Sequence, residues 1–136
     1  MTGVVVDSSA IVALVQRESS RLWFQEQLAS AASRLMAAPS AVELTIALES
    51  RSRSASITGV ARRAIRDGRI TVIPFDESLA DRASDAWRRF GKGRHPAALN
   101  FGDCFTYALA EQAGYPILCV GEDFARTDLE VLRPPE

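Results

Sequence analysis

Two cysteines, one histidine and one lysine among 136 residues leave little room for soft-ligand metal chemistry. Cys104 and Cys119 sit in apolar stretches without metal-ligand spacing, so buried free thiols are expected, with neither a disulfide nor a zinc site. The lone His95 lies in a basic loop and reads as a surface residue. No apolar run approaches the ~20 residues needed to cross a bilayer. The N-terminal stretch carries no basic segment leading into a long apolar one, and the expectation is a cytoplasmic protein. Lysine is nearly absent: of 16 basic residues only Lys92 is not arginine.

That arginine bias matters because the net charge of -1 conceals a segregated pattern. Arg51, Arg53, Arg62, Arg63, Arg66 and Arg69 face a single acid, Asp67, over residues 51–69. A second knot holds Arg88, Arg89, Lys92 and Arg94. Guanidinium forks match phosphate geometry, which suggests a nucleic-acid surface. Solvated helix faces in a GC-rich genome give the same composition. The 47% hydrophobic content suits a single globular domain over 1–136.

Strands and helices alternate along the chain. The valine run 4–6 has the β-branched continuity of a strand buried on both faces. Helices are expected from Ser8 and over 20–31, followed by a strand at Leu35-Met36-Ala37. Pro39 should end that strand and Ser40 cap a helix to Glu49, with Val42, Leu44, Ile46 and Leu48 turned inward. A helix over 54–66 is expected next. Asp67-Gly68 then turns into a strand over 70–73 that Pro74 stops.

A helix over 77–90 carries Leu79, Ala83, Ala86, Trp87 and Phe90 on one face. A basic loop follows over 91–99. The next helix opens at Asn100, carries Phe101, Phe105, Ala108 and Leu109, and stops at Gly114. Strands at 116–120 and 131–132 complete a parallel sheet of four to five strands covered by helices on both faces.

Acidic residues recur at the handovers between these elements. Asp7 follows the first strand, Glu43 and Asp103 stand in the first turns of two helices, and Glu122-Asp123 follow the fourth strand. In a parallel α/β sheet all of these positions lie on the carboxyl edge, where ligands bind. Each has a local explanation: Asp7 as an N-cap, Ser40-x-x-Glu43 and Asn100-x-x-Asp103 as capping boxes, Glu122-Asp123 as an acidic turn. Capping does not require all four to share one rim. Two carboxylates ~4 Å apart at an effective dielectric of ~20 repel by roughly 4 kcal/mol, so a cluster needs protons or a hard cation. Oxygen ligands without nearby His or Cys suit Mg²⁺ or Mn²⁺. Ser9 could hydrogen-bond a neighbouring carboxylate or a metal-bound water, or satisfy the backbone at the helix start.

The segments Val5-Val6-Asp7-Ser8-Ser9-Ala10, Ser40-Ala41-Val42-Glu43, Leu99-Asn100-Phe101-Gly102-Asp103-Cys104-Phe105 and Gly121-Glu122-Asp123-Phe124 with Thr127-Asp128-Leu129 together resemble the PIN-domain ribonuclease toxins of the VapC type. The likeness runs in order over nearly the whole chain. It implies a three-layer α/β/α fold with a central, mostly parallel sheet and a Mg²⁺- or Mn²⁺-dependent endoribonuclease. It also implies a homodimer and a cognate VapB-type antitoxin.

Carried over by position, Asp7 and Asp103 would be the principal metal ligands. Glu43 and Asp123 would complete the acidic quartet, with Glu122 the alternative for the fourth place and Ser9 supporting Asp7. Arg62, Arg63, Arg66 and Arg94 are the candidates for RNA contact. A phospho-acceptor receiver domain wants paired acids after the first strand and a late lysine, which this chain lacks. A catalytically idle binding module on the same fold would be expected to have lost a carboxylate.

Overall fold

A computed structural model describes residues 2–135. Five strands form one wholly parallel sheet: β1 (Val4–Val6), β2 (Arg34–Ala37), β3 (Thr71–Ile73), β4 (Ile117–Leu118) and β5 (Val131–Leu132). Their spatial order is β3-β2-β1-β4-β5. The chain therefore works outward from β1 in one direction, then returns to add β4 on its other side. The crevice outside β1 and β4 is the switch point of the sheet, where open α/β folds leave room for a ligand.

Among the described residues six α-helices cover the sheet: α1 (Ser8–Val15), α2 (Arg21–Ser30), α3 (Ala38–Glu49), α4 (Val60–Asp67), α5 (Glu77–Phe90) and α6 (Phe101–Ala113). The period-two alternation of a strand divides the core in two. Val5, Ile117 and Cys119 point into a cluster with Leu79, Ala83, Ala86, Phe90, Tyr107 and Leu109 of α5 and α6. Val4, Val6, Met36 and Leu118 point the opposite way, onto Ile11, Phe24, Leu28, Leu44, Leu48 and Ala61 of the other four helices. The three-layer α/β/α arrangement follows directly. Both cysteines are buried and free.

Four expectations need correction. First, α3 starts at Ala38, with Pro39 inside its first turn, where the missing N–H costs no hydrogen bond. Ser40 is therefore within the helix and makes no capping bond, and Glu43 lies beyond the first turn. Second, Val42 and Ile46 are exposed while Leu44 and Leu48 are buried, because residues two apart cannot share a face at 3.6 residues per turn. Third, the helix expected over 54–66 is split. A short 3₁₀ turn (Ala55–Ile57) precedes Gly59, whose φ of 81° breaks the run before α4. Fourth, Phe101 is 81% exposed and Trp87 48%, so neither belongs to the core.

Candidate active site

The parallel topology puts the N-termini of α1, α3 and α6 at the carboxyl edge of the sheet, where their partial positive charge favours carboxylates. Asp7 emerges from β1 into this edge and is only 5% exposed. It caps α1, its Oδ2 accepting from Ser9 N–H at 3.1 Å and from Ser9 Oγ at 2.6 Å. Its Oδ1 accepts from Thr106 Oγ1 at 2.8 Å. Ser9 Oγ in turn accepts from Val120 N–H at 3.0 Å, which ties the end of β1 to the segment after β4.

Asp103 sits in the first turn of α6 in a reciprocal capping box. Its backbone N–H donates to Asn100 Oδ1 at 2.9 Å, and its Oδ2 accepts from Asn100 N–H at 3.0 Å. Burial raises its pKa from 3.8 to about 7. The Asn100 bond opposes that rise, while the charges of Asp7, Asp123 and Glu43 add to it. The four acids drawn from distant parts of the chain thus act on one another electrostatically.

Glu43 accepts from Ser8 Oγ at 2.9 Å. Burial raises its pKa too, against the Ser8 bond and with help from Asp7. Its carboxylate lies so close to α6 that a Cβ on Gly102 would overlap Oε2. Only glycine at 102 permits this approach.

The adjacent acids after β4 part company. Glu122 pairs with Arg126 at 3.5 Å and with Arg133 at 3.6 Å. Asp123 is exposed, forms no ion pair among the described residues, and exerts its charge on Asp103 and Cys119.

Among the described residues no arginine, lysine or histidine forms an ion pair with Asp7, Glu43, Asp103 or Asp123. The edge therefore concentrates negative charge that no ion pair among the described residues balances. Its donors are hard oxygens, which fit Mg²⁺ or Mn²⁺. The nearby thiols do not compete, because burial pushes Cys104 up to about 11 and Cys119 up to about 12. As placed, no three Asp, Glu, His or Cys side chains among the described residues could hold one ion together. The expected gathering of acids is thus looser than a chelating triad. It suits an ion held by one or two carboxylates and completed by water, as Mg²⁺ commonly is.

Among the described residues none of the candidate RNA-contacting arginines forms an ion pair with these acids. Arg62, Arg63 and Arg66 are exposed on α4, with Arg63 donating to the carbonyls of Thr58 and Ser56. Arg94 lies 4.7 Å over the Trp87 ring and donates to the Arg88 carbonyl. His95 is half-buried and edge-on to Phe90, its Nδ1 accepting from Ala97 N–H.

Sequence reasoning missed three partners of the acids: Ser8, Gly102 and Thr106. Thr106 had one available signal, an aliphatic hydroxyl in the largely buried run 104–110, one helical turn after Asp103. The buried Tyr107, which donates to Asp128 and accepts from Arg89 at 3.3 Å, was missed as well.

Comparison with known proteins follows the same lines. The family model described as PIN domain matches residues 4–130. The chain is 44% identical over 128 residues to the VapC ribonuclease Mb2004c of Mycobacterium bovis, covering 93% of this chain and 91% of that protein. Ribonuclease VapC36 of Mycobacterium tuberculosis matches with the same identity and coverage. Among solved structures, Mycobacterium tuberculosis VapC20, a Sarcin-Ricin loop cleaving toxin, superposes with a TM-score of 0.76 at 21% identity over 96% of this chain and 99% of that one. VapBC2 from Rickettsia felis, bound to a promoter DNA fragment, gives 0.74 at 12% identity over 98% and 100%.

Proposed function

The chain belongs to the PIN-domain family of VapC ribonucleases, and from that premise we propose that it is the toxin of a type II toxin–antitoxin system, an endoribonuclease dependent on Mg²⁺ or Mn²⁺. The observation that carries this reading is the uncompensated acidic edge. The pKa of Asp103 is about 7 because burial and three other carboxylates act on it, with no cation paired to it among the described residues. A bound divalent ion would supply the missing positive charge, lower the pKa of a water and stabilise charge on a phosphoryl group.

In this reading Asp7 and Asp103 hold the ion. Glu43 and Asp123 complete the site through water, and Asp123 is the fourth acid because Glu122 is committed to arginines. Ser9 and the α1 N-terminus hold Asp7 in its orientation. Water attacks the phosphorus in line as the P–O3′ bond breaks, and the proton lost by that water is balanced by one taken up on the leaving 3′ oxygen, which gives a 5′-phosphate and a 3′-hydroxyl. Glu43 Oε2, which accepts no hydrogen bond among the described residues, is open to a water.

Arg62, Arg63, Arg66 and Arg94 supply the electrostatic field for RNA. Several structural neighbours are toxin–antitoxin complexes. A VapB-type antitoxin, a homodimer of single-domain chains and a cytoplasmic location belong to the same proposal. No helix among the described residues is long and apolar enough to cross a membrane.

The test is incubation of purified protein with total RNA, with and without Mn²⁺, followed by mapping of the cleaved ends. Cleavage with 5′-phosphate ends that needs the metal and disappears in Asp7→Asn supports the reading. Equal cleavage by folded Asp7→Asn protein refutes it.

A further inference from the structure

Three of the four acids on the sheet edge, Asp7, Glu43 and Asp103, come from separate pieces of the chain, and one pair of hydroxyls joins those pieces. Thr106 Oγ1 donates to Asp7 Oδ1 at 2.8 Å and lies 3.3 Å from Ser40 Oγ. Thr106 is three residues after Asp103 on α6, and Ser40 is three residues before Glu43 on α3. Both are buried, Thr106 at 1% and Ser40 at 0% exposure. The single hydroxyl proton of Thr106 is used on Asp7, so Ser40 must be the donor to Thr106. The chain Ser40–Thr106–Asp7 thereby connects the two helices that carry Glu43 and Asp103 to the strand end that carries Asp7.

This arrangement is not what a helical threonine does by default. A Ser or Thr inside a helix can bond the carbonyl one turn back. Ser30, Thr45 and Ser84 do so, donating to the carbonyls of Glu26, Ala41 and Ala80. Thr106 bypasses that local acceptor for a carboxylate 99 residues away in sequence. The consequence falls on Asp7. Ser9 holds Oδ2 through two bonds, and Thr106 holds Oδ1, so each oxygen has its own donors and the carboxylate cannot turn about its own bond without losing them.

We infer that Thr106, backed by Ser40, is a positioning residue: it locks the Asp7 carboxylate in the orientation that receives the divalent ion and keeps Asp7, Glu43 and Asp103 in register. The inference rests on the metal-dependent ribonuclease reading. Outer partners of metal ligands commonly contribute about 10–100-fold in metal affinity or activity. A loss of that size is expected when the hydroxyl is removed, whereas RNA affinity, which Thr106 does not serve, should stay the same.

The experiment measures Mn²⁺ affinity by calorimetry, RNA affinity in chelator, and turnover, on full-length wild type, Thr106→Val, Thr106→Ala and Thr106→Ser. Circular dichroism checks each fold. The Val and Ala variants should bind Mn²⁺ about 10–100-fold more weakly, turn over correspondingly slowly at fixed Mn²⁺, and bind RNA like wild type. The Ser variant, which keeps the hydroxyl, should recover to near wild type. Mn²⁺ affinity within twofold of wild type in both folded Val and Ala variants overturns the inference while leaving the ribonuclease reading intact. So does a Ser variant as weak as Val. Wild-type protein that neither binds Mn²⁺ nor cleaves RNA overturns both.

Discussion

Stripping divalent ions with a chelator and titrating the protein from acid to neutral pH probes the electrostatics of the acidic edge. Asp103 releases its proton near 3.8 when unfolded but at about 7 in the fold. Between those values the native chain holds a proton that the unfolded chain has lost. The raised pKa therefore contributes stability that is complete below about pH 4 and disappears as pH climbs to about 7. One such proton gives a slope of up to about 1.4 kcal/mol per pH unit, falling with pH, and a plateau above about 7. Glu43, raised by burial and by Asp7, adds to the same trend. Asp128, lowered chiefly by its bond from Tyr107, loses its contribution only as pH falls below the ordinary carboxylate range, outside this window.

Urea melts in chelator at a series of pH values, with constant ionic strength and a check that the m-value is fixed, read this slope. Asp103→Asn should flatten much of it. Saturating Mn²⁺ should reverse it, because the ion binds only the ionised carboxylates and its stabilisation therefore grows with pH. Chelated wild-type protein whose stability stays level or rises between about pH 5 and 7 refutes the reasoning.

Three further outcomes are expected. Gly102→Ala puts a Cβ where Glu43 Oε2 now lies and forces that carboxylate off Ser8, so turnover should fall roughly 10²-fold with the fold retained; wild-type turnover in steady-state assays contradicts this. Tyr107→Phe removes the buried hydroxyl shared by Asp128 and Arg89 and should cost about 1–3 kcal/mol in urea melts. Charge reversal of Arg62, Arg63 and Arg66 should weaken RNA binding and flatten the slope of log affinity against log salt by up to about 0.7 for each phosphate no longer neutralised. An unchanged slope would move the RNA surface away from α4.

The sequence was most legible where one physical rule acts locally. The valine run marked β1, the Asn100 capping box opened α6, and Gly114, with a φ of 71°, closed it. Alternating elements were enough to place the acids on one rim. Errors came where rules competed. Ser40 looks like an N-cap, but a proline is tolerated in a first helical turn, so α3 could begin before it and leave Ser40 free to serve Thr106. The apolar positions 42, 44, 46 and 48 keep a period of two inside a helix, which leaves Val42 and Ile46 outside. Gly59 was readable as a glycine but not as a break, since its left-handed φ depends on the turn around it.

The candidate site could be read as a set of acids but not as a network. Bonds such as Ser8 to Glu43 and Thr106 to Asp7 join residues 35 and 99 positions apart, and nothing in local composition announces them. The ambiguity between Glu122 and Asp123 is of the same kind. It turns on Arg126 and Arg133, which pair with Glu122 only once the segment after β4 has folded against β5.

Anomalous diffraction from a crystal of the protein soaked in Mn²⁺ tests the metal site most directly. A manganese peak is expected within ligand distance of the Asp7 and Asp103 carboxylates, and it should vanish when either residue is changed to asparagine. Manganese bound only elsewhere, or a peak at this edge that survives both substitutions, would contradict the assignment.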